Sequence, residues 1–128
     1  MGKKTYLIDG LPQGGPYSNV VEAGDLLFVS GTLPLDTTND ISIKDNVSKA
    51  TELILNNIGK ALAECGSSLE NIVKTTVFLK DMADFNEMNN VYKTFFPIAQ
   101  PARSCIAVKA IPGDFPVEIE AIAIKNTE

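Results

Sequence analysis

The chain has 128 residues, 45% of them hydrophobic and 21% charged, which fits one domain (residues 1–128) around a single core. Its net charge of −5 argues against general affinity for nucleic acid, which needs a basic footprint. Histidine is absent, which excludes a Ser-His-Asp triad, a Cys-His dyad, a histidine-based ribonuclease and most zinc sites.

Taken in order, the first third reads as strands. Tyr6-Leu7-Ile8 has the pattern of a short edge strand, and a loop rich in Gly and Pro follows, LPQGGPYS. NVVEAGDLLFVSG then reads as two strands around the turn signal Ala23-Gly24-Asp25. Residues 32 to 44 are polar and irregular. Asp45 is a good N-cap for a long helix, whose apolar positions Val47, Ala50, Ile54, Ile58, Ala61, Leu62 and Cys65 lie on one face, with Gly66 as the stop. The β-branched run NIVKTTVFLKD, 71 to 81, predicts a strand. Asp84 and Glu87 resemble a capping box before a second helix carrying Met88, Val91, Tyr92 and Phe95 on one side and ended by Pro97. Two more strands close the chain in QPARSCIAVKAIPGDFPVEIEAIAIK.

This order predicts an α+β domain of two layers, a mixed or antiparallel sheet of about six strands with two helices on one face. The strands are apolar on both sides: Val77 and Leu79 alternate with Phe78, and Ile122 and Ile124 with Ala121 and Ala123. A sheet buried on both faces needs a second cover, and the chain has no helix left to supply it. Another copy of the chain is the expected cover. No apolar run is long enough to span a bilayer and no charged-then-apolar leader is visible, so a cytoplasmic protein with no membrane partner is expected. Cys65 and Cys105 match no metal spacing and are expected as free thiols in such a compartment.

The last two strands carry charges among apolar neighbours. Period-two alternation puts Arg103, Cys105 and Ala107 on one face of their strand and Glu118 and Glu120 on one face of theirs. If the two strands pair as a hairpin around Ala110 to Gly113, all four polar positions share a face; a third strand between them would change that. Two readings stay open: exposed ion pairs of little worth, or a small site in which the arginine fork holds a carboxylate and a glutamate positions water.

The same residues carry a resemblance. PARSC followed by VEIEAIA, with GPYS, LLFVSG, IVKTTVFLKDMADF and NNVYKTFF in order before them, resembles the RidA/YjgF family (reactive intermediate deaminase A) over nearly the whole chain. The resemblance implies a chorismate-mutase-like fold and a homotrimer with a central barrel and sites between subunits. It implies cofactor-free and metal-free hydrolysis of 2-imino and 2-enamine acids, such as 2-iminopropanoate and 2-iminobutanoate, to 2-keto acids and ammonia. By motif position, Arg103 would bind the substrate carboxylate and Glu118 would activate the water; Cys105, Tyr17, Ser30, Gly31 and Asn89 would line the substrate pocket. A non-catalytic carboxylate-binding protein and an endoribonuclease or translation inhibitor are the rival expectations. The chain departs from the family pattern at Asn19 and Thr32, and is shorter before Pro101.

Overall fold

The computed structural model describes residues 2–126. Among these residues are eight strands and two α-helices: β1 (Lys3–Tyr6), β2 (Val20–Ala23), β3 (Leu26–Thr32), β4 (Leu35–Asp36), β5 (Ile41–Ser42), α1 (Val47–Glu64), β6 (Ile72–Leu79), α2 (Phe85–Phe95), β7 (Ala102–Ala107) and β8 (Val117–Ile124). Six strands form the main sheet in the order β1-β2-β3-β8-β6-β7. All neighbours are antiparallel except β6 and β7, which run parallel because α2 carries the chain back between them. The irregular stretch 32 to 44 contains a small hairpin, β4 against β5, with no strong sequence signal.

Both helices lie on one face, as the sequence predicts. Leu27, Val29, Val77, Leu79, Val117, Ile119, Ala121 and Ala123 from the sheet are buried with Ala50, Ile54, Ile58, Ala61 and Leu62 of α1 and Met88 and Tyr92 of α2 in one core. Asn46, one residue beyond Asp45, caps α1 by accepting from the Lys49 backbone N–H at 2.9 Å. Gly66 follows the helix at φ +80°, a left-handed conformation that glycine adopts without a Cβ clash. The capping box at Asp84 and Glu87 does not form: Asp84 stands at the N-cap of α2 without a side-chain bond. Asp81 instead caps the short 3₁₀ turn Met82–Asp84 before it. No helix among the described residues is long and apolar enough to cross a membrane.

Of the two arrangements left open for the last two strands, a hairpin or a third strand between them, the structure has the second. β6 lies between β7 and β8, pairing Val77 with both Cys105 and Ile119, and Phe78 with both Ile106 and Glu118. The segment between β7 and β8 makes a 3₁₀ turn at Pro112–Asp114 and passes the end of β6, where Lys80 N–H reaches the Pro116 carbonyl. Arg103 and Cys105 therefore align with buried Thr75 and Val77 on the helix side, whereas Glu118 aligns with Phe78 on the other. The four polar positions do not share a face.

That other face has no layer over it among the described residues. Phe28, Ile106 and Ile124 are each 40% exposed or more, beside half-buried Val21, Phe78 and Ile122. Apolar side chains from five strands thus form one continuous open surface, broken by Lys74, Thr76, Glu118 and Glu120.

Candidate functional site

Two polar groupings stand on opposite sides of the sheet. The first surrounds Glu118. β3 bulges between Val29 and Thr32, where Ser30 and Gly31 fall out of simple register with β8. The bulge brings Gly31 against the Glu118 carboxylate: a Cβ added to Gly31 would overlap Glu118 Oε2. Glycine here makes room for a carboxylate rather than for a turn. Ser30 is half-buried and its hydroxyl donates to the Ser18 carbonyl at 2.6 Å, while its backbone N–H donates to the Asn19 carbonyl at 3.0 Å. Tyr17, next to Ser18, is 45% exposed, and its hydroxyl donates to the Pro12 carbonyl at 3.0 Å.

Asn19 holds this loop in place. It is buried; its Oδ1 accepts from Ile8 N–H at 2.7 Å and its Nδ2 donates to the Pro12 carbonyl at 2.9 Å. The departure from the family pattern at this position is thus a hydrogen-bonding hub that ties the Tyr17 loop to the segment following β1. Thr32, the other departure, is buried and its hydroxyl donates to the Ser30 carbonyl at 2.9 Å.

Burial pushes the Glu118 carboxyl above its ordinary value, and the nearby charge of Glu120 pushes the same way. Among the described residues no donor bonds to the Glu118 carboxylate. It is a half-buried carboxyl group with no protein donor on its oxygens among the described residues.

The second grouping surrounds Arg103. Its Nη1 donates to Asn89 Oδ1 at 2.7 Å and lies 3.9 Å from Met88 Sδ, both on α2. The guanidinium carbon stands 4.8 Å from the centre of the Tyr92 ring and 5.7 Å from that of Phe85. Tyr92 is anchored below: its hydroxyl lies 2.7 Å from the buried Thr75 hydroxyl, and its ring tilts against Phe96 with centroids 4.7 Å apart. Asn89, Tyr92, Phe96 and Pro101 wall a hollow of about 290 Å³ beside the arginine. Cys105 follows on the same face, half-buried against the core, and burial raises its thiol pKa.

Tyr92, Phe85 and Thr75 were not legible as site residues. Tyr92 reads in the sequence as one more member of the apolar stripe of α2. The available signal is its spacing: Phe85, Asn89, Tyr92 and Phe96 recur every three or four residues, so they line one side of the helix.

The two groupings are too far apart to share a small ligand within one chain. Along the strands the register offset from Arg103 to the level of Glu118 is that between Thr75 and Phe78, with β6 between them. At ordinary strand rise and spacing the two Cα atoms are about 14 Å apart, with side chains leaving opposite faces.

Residues 9–125 match the family model described as Endoribonuclease L-PSP. A mouse protein named 2-iminobutanoate/2-iminopropanoate deaminase is 40% identical over 112 residues, covering 88% of this chain and 83% of the mouse protein. A RutC family protein of Pyrococcus abyssi is 38% identical over 127 residues, covering 98% of this chain and all of the relative. The crystal structure of E. coli TdcF with bound serine superposes with a TM-score of 0.88 at 35% identity, covering 96% of this chain and 99% of that one. With the sequence motifs and the fold in agreement with these relatives, the chain belongs to the Endoribonuclease L-PSP family, the RidA/YjgF family that its motifs resemble.

Proposed function

We propose that the protein is a cofactor-independent deaminase that hydrolyses reactive 2-imino acids and their enamine tautomers. Its sites would form where neighbouring copies of a homotrimer meet, Arg103 coming from one copy and Glu118 from the next. The observation that carries this reading is the placement of these two side chains. Each is half-buried with free polar atoms, yet they leave opposite faces of one sheet. The open apolar face around Phe28, Ile106 and Ile124 supports a second copy as its cover. The mouse relative named as a deaminase and the E. coli relative with bound serine, an amino acid with a carboxylate, support the substrate class.

The chemistry asks little of the protein. The arginine holds the substrate carboxylate and so places the imine carbon. Glu118 takes a proton from water as the oxygen adds to that carbon, and returns it to the nitrogen. The carbinolamine hydroxyl then loses its proton through Glu118 to the nitrogen, the C–N bond breaks, and ammonia leaves as the carbonyl forms where the C=N bond stood. An imine is already electrophilic, so one positioned carboxylate can suffice without a histidine. Ser30, Gly31 and Tyr17 would border the Glu118 side, Asn89 and Cys105 the arginine side.

The direct test generates 2-iminobutanoate or 2-iminopropanoate with a threonine or serine dehydratase in the presence of semicarbazide, which traps the imine as a semicarbazone. Added protein is expected to suppress trapping and speed release of the keto acid. Unchanged trapping with both imines rejects the deaminase reading and leaves Arg103 as a carboxylate-binding site only.

The acid limb of the enzymatic rate follows from the Glu118 environment. Glu118 must be ionised to accept a proton, so activity is present above its pKa and lost below it. Burial and Glu120 raise that pKa from the ordinary 4.5, so kcat/KM, corrected for buffer hydrolysis, is expected to fall at a pH above the usual glutamate range. Glu120→Gln removes one of the two causes and should move the limb to lower pH. A limb that stays in place on that substitution rules out the coupling.

A further inference from the structure

We infer that Tyr92, anchored by Thr75, acts with Asn89 to fix which edge of the Arg103 guanidinium meets the substrate, so that the carboxylate is held side-on by Nε and Nη2. The inference rests on the reading of Arg103 as the carboxylate-binding group and deepens it.

An arginine offers five N–H donors in one plane and can bind a carboxylate along more than one edge. Here one end is already committed. Nη1 donates to Asn89 Oδ1 at 2.7 Å and lies 3.9 Å from Met88 Sδ. Among the described residues no acceptor bonds to Nε or Nη2, and no polar atom of Arg103 is both buried and unpaired. The Nε–Nη2 edge is therefore open to solvent while the Nη1 end is tethered to α2.

A tether at one end leaves the plane free to swing. The Tyr92 ring removes that freedom. It stands 4.8 Å from the guanidinium carbon, with Phe85 at 5.7 Å. The ring itself is fixed, being buried, bonded to Thr75 at 2.7 Å and packed on Phe96. Thr75 is the β6 neighbour of Arg103 in the parallel ladder, so the anchor and the arginine are held to the same register. The side chain thus meets substrate with much of its rotamer freedom already given up. Asn89 contributes mainly through the arginine. Its Nδ2 retains donors with no acceptor among the described residues, and these remain available to a ligand.

The test compares wild type with Tyr92→Phe, Tyr92→Met and Asn89→Ala. It reads kcat/KM for 2-iminobutanoate by competition with semicarbazide, and Kd for the product 2-oxobutanoate by calorimetry. Tyr92→Phe keeps the π face but loses the Thr75 anchor, so both should worsen by about threefold. Tyr92→Met fills the space without that face, and both quantities should worsen about tenfold. In an Arg103→Lys background, where a point charge has no edge to aim, the same substitution should change Kd by less than about twofold. A purely structural role gives equal losses in both backgrounds, and that result overturns the inference. If Tyr92→Met does not fold, Asn89→Ala, at a half-buried position, carries the same comparison through the other restraint. A wild type that binds 2-oxobutanoate and deaminates while the folded variants match it overturns the inference alone. A wild type that does neither overturns the deaminase reading and the inference together.

Discussion

Arg103→Ala and Glu118→Ala chains, each inactive alone, are expected to regain activity when they are unfolded and refolded together in equal amounts. Within one chain the two residues lie on opposite faces of the sheet with β6 between their strands. If each site takes its arginine from one copy and its glutamate from the next, a mixed assembly contains some sites with both native side chains. Random mixing makes both contributors intact at about a quarter of the sites, so about a quarter of wild-type activity should return. Each variant alone should lose at least about a hundredfold, the size of effect given by a general base or a carboxylate clamp. Mass spectrometry of the mixture confirms that hetero-assemblies form. Activity that stays absent in their presence would show that the two groups do not meet across copies, and would remove the main support for the proposed site.

Gly31→Ala should lower kcat/KM by about a hundredfold while leaving the chain folded. The added Cβ would overlap Glu118 Oε2, and the obstacle sits on a strand held by β8, so the freer carboxylate is the group that moves. Displacement of a reacting group by about 1 Å is enough for a loss of that order. Binding of 2-oxobutanoate, which the reading assigns to the arginine side, should weaken much less. Circular dichroism and the imine-trapping assay check both halves. Full activity in a folded Gly31→Ala chain would mean that the position of Glu118 beside the bulge is not the one that catalysis uses.

The sequence shows the layers more clearly than the wiring. The stripe from Val47 to Cys65 predicts α1 and its buried face, and alternation in Val117–Ile124 assigns every residue of β8 to its correct face. Alternation speaks only within a strand. Whether two strands are neighbours depends on α2, which returns the chain parallel to β6 and places β7 at the sheet edge. A short loop such as Ala110 to Gly113 reads as a hairpin when that long-range packing is invisible. Hence the sequence leaves open whether Arg103 and Glu118 share a face, and the structure separates them. The motifs name the charged residues of the candidate site. The support beneath them, Tyr92 on Thr75 under Arg103, depends on a contact between helix and strand that no local pattern encodes. The open apolar face of the sheet was legible for a simpler reason: the apolar content of Phe28, Phe78, Ile122 and Ile124 exceeds what two helices can hide.

The half-burial of Glu118 also bears on how much stability the fold holds back. A carboxyl whose folded pKa is raised binds its proton more tightly in the native chain than in the unfolded one. Its contribution to stability is present below the unfolded pKa and is lost as pH rises through the folded pKa. At neutral pH, where the proposed reaction needs the carboxylate, the ionised side chain works against the native state. The position on which catalysis would depend is then one where an uncharged isostere leaves a sturdier protein, so selection for heat tolerance alone would discard it. On the proposed reading, the glutamate beside the bulge, with glycine at position 31 leaving room for it, is a place where reactivity comes at the expense of robustness.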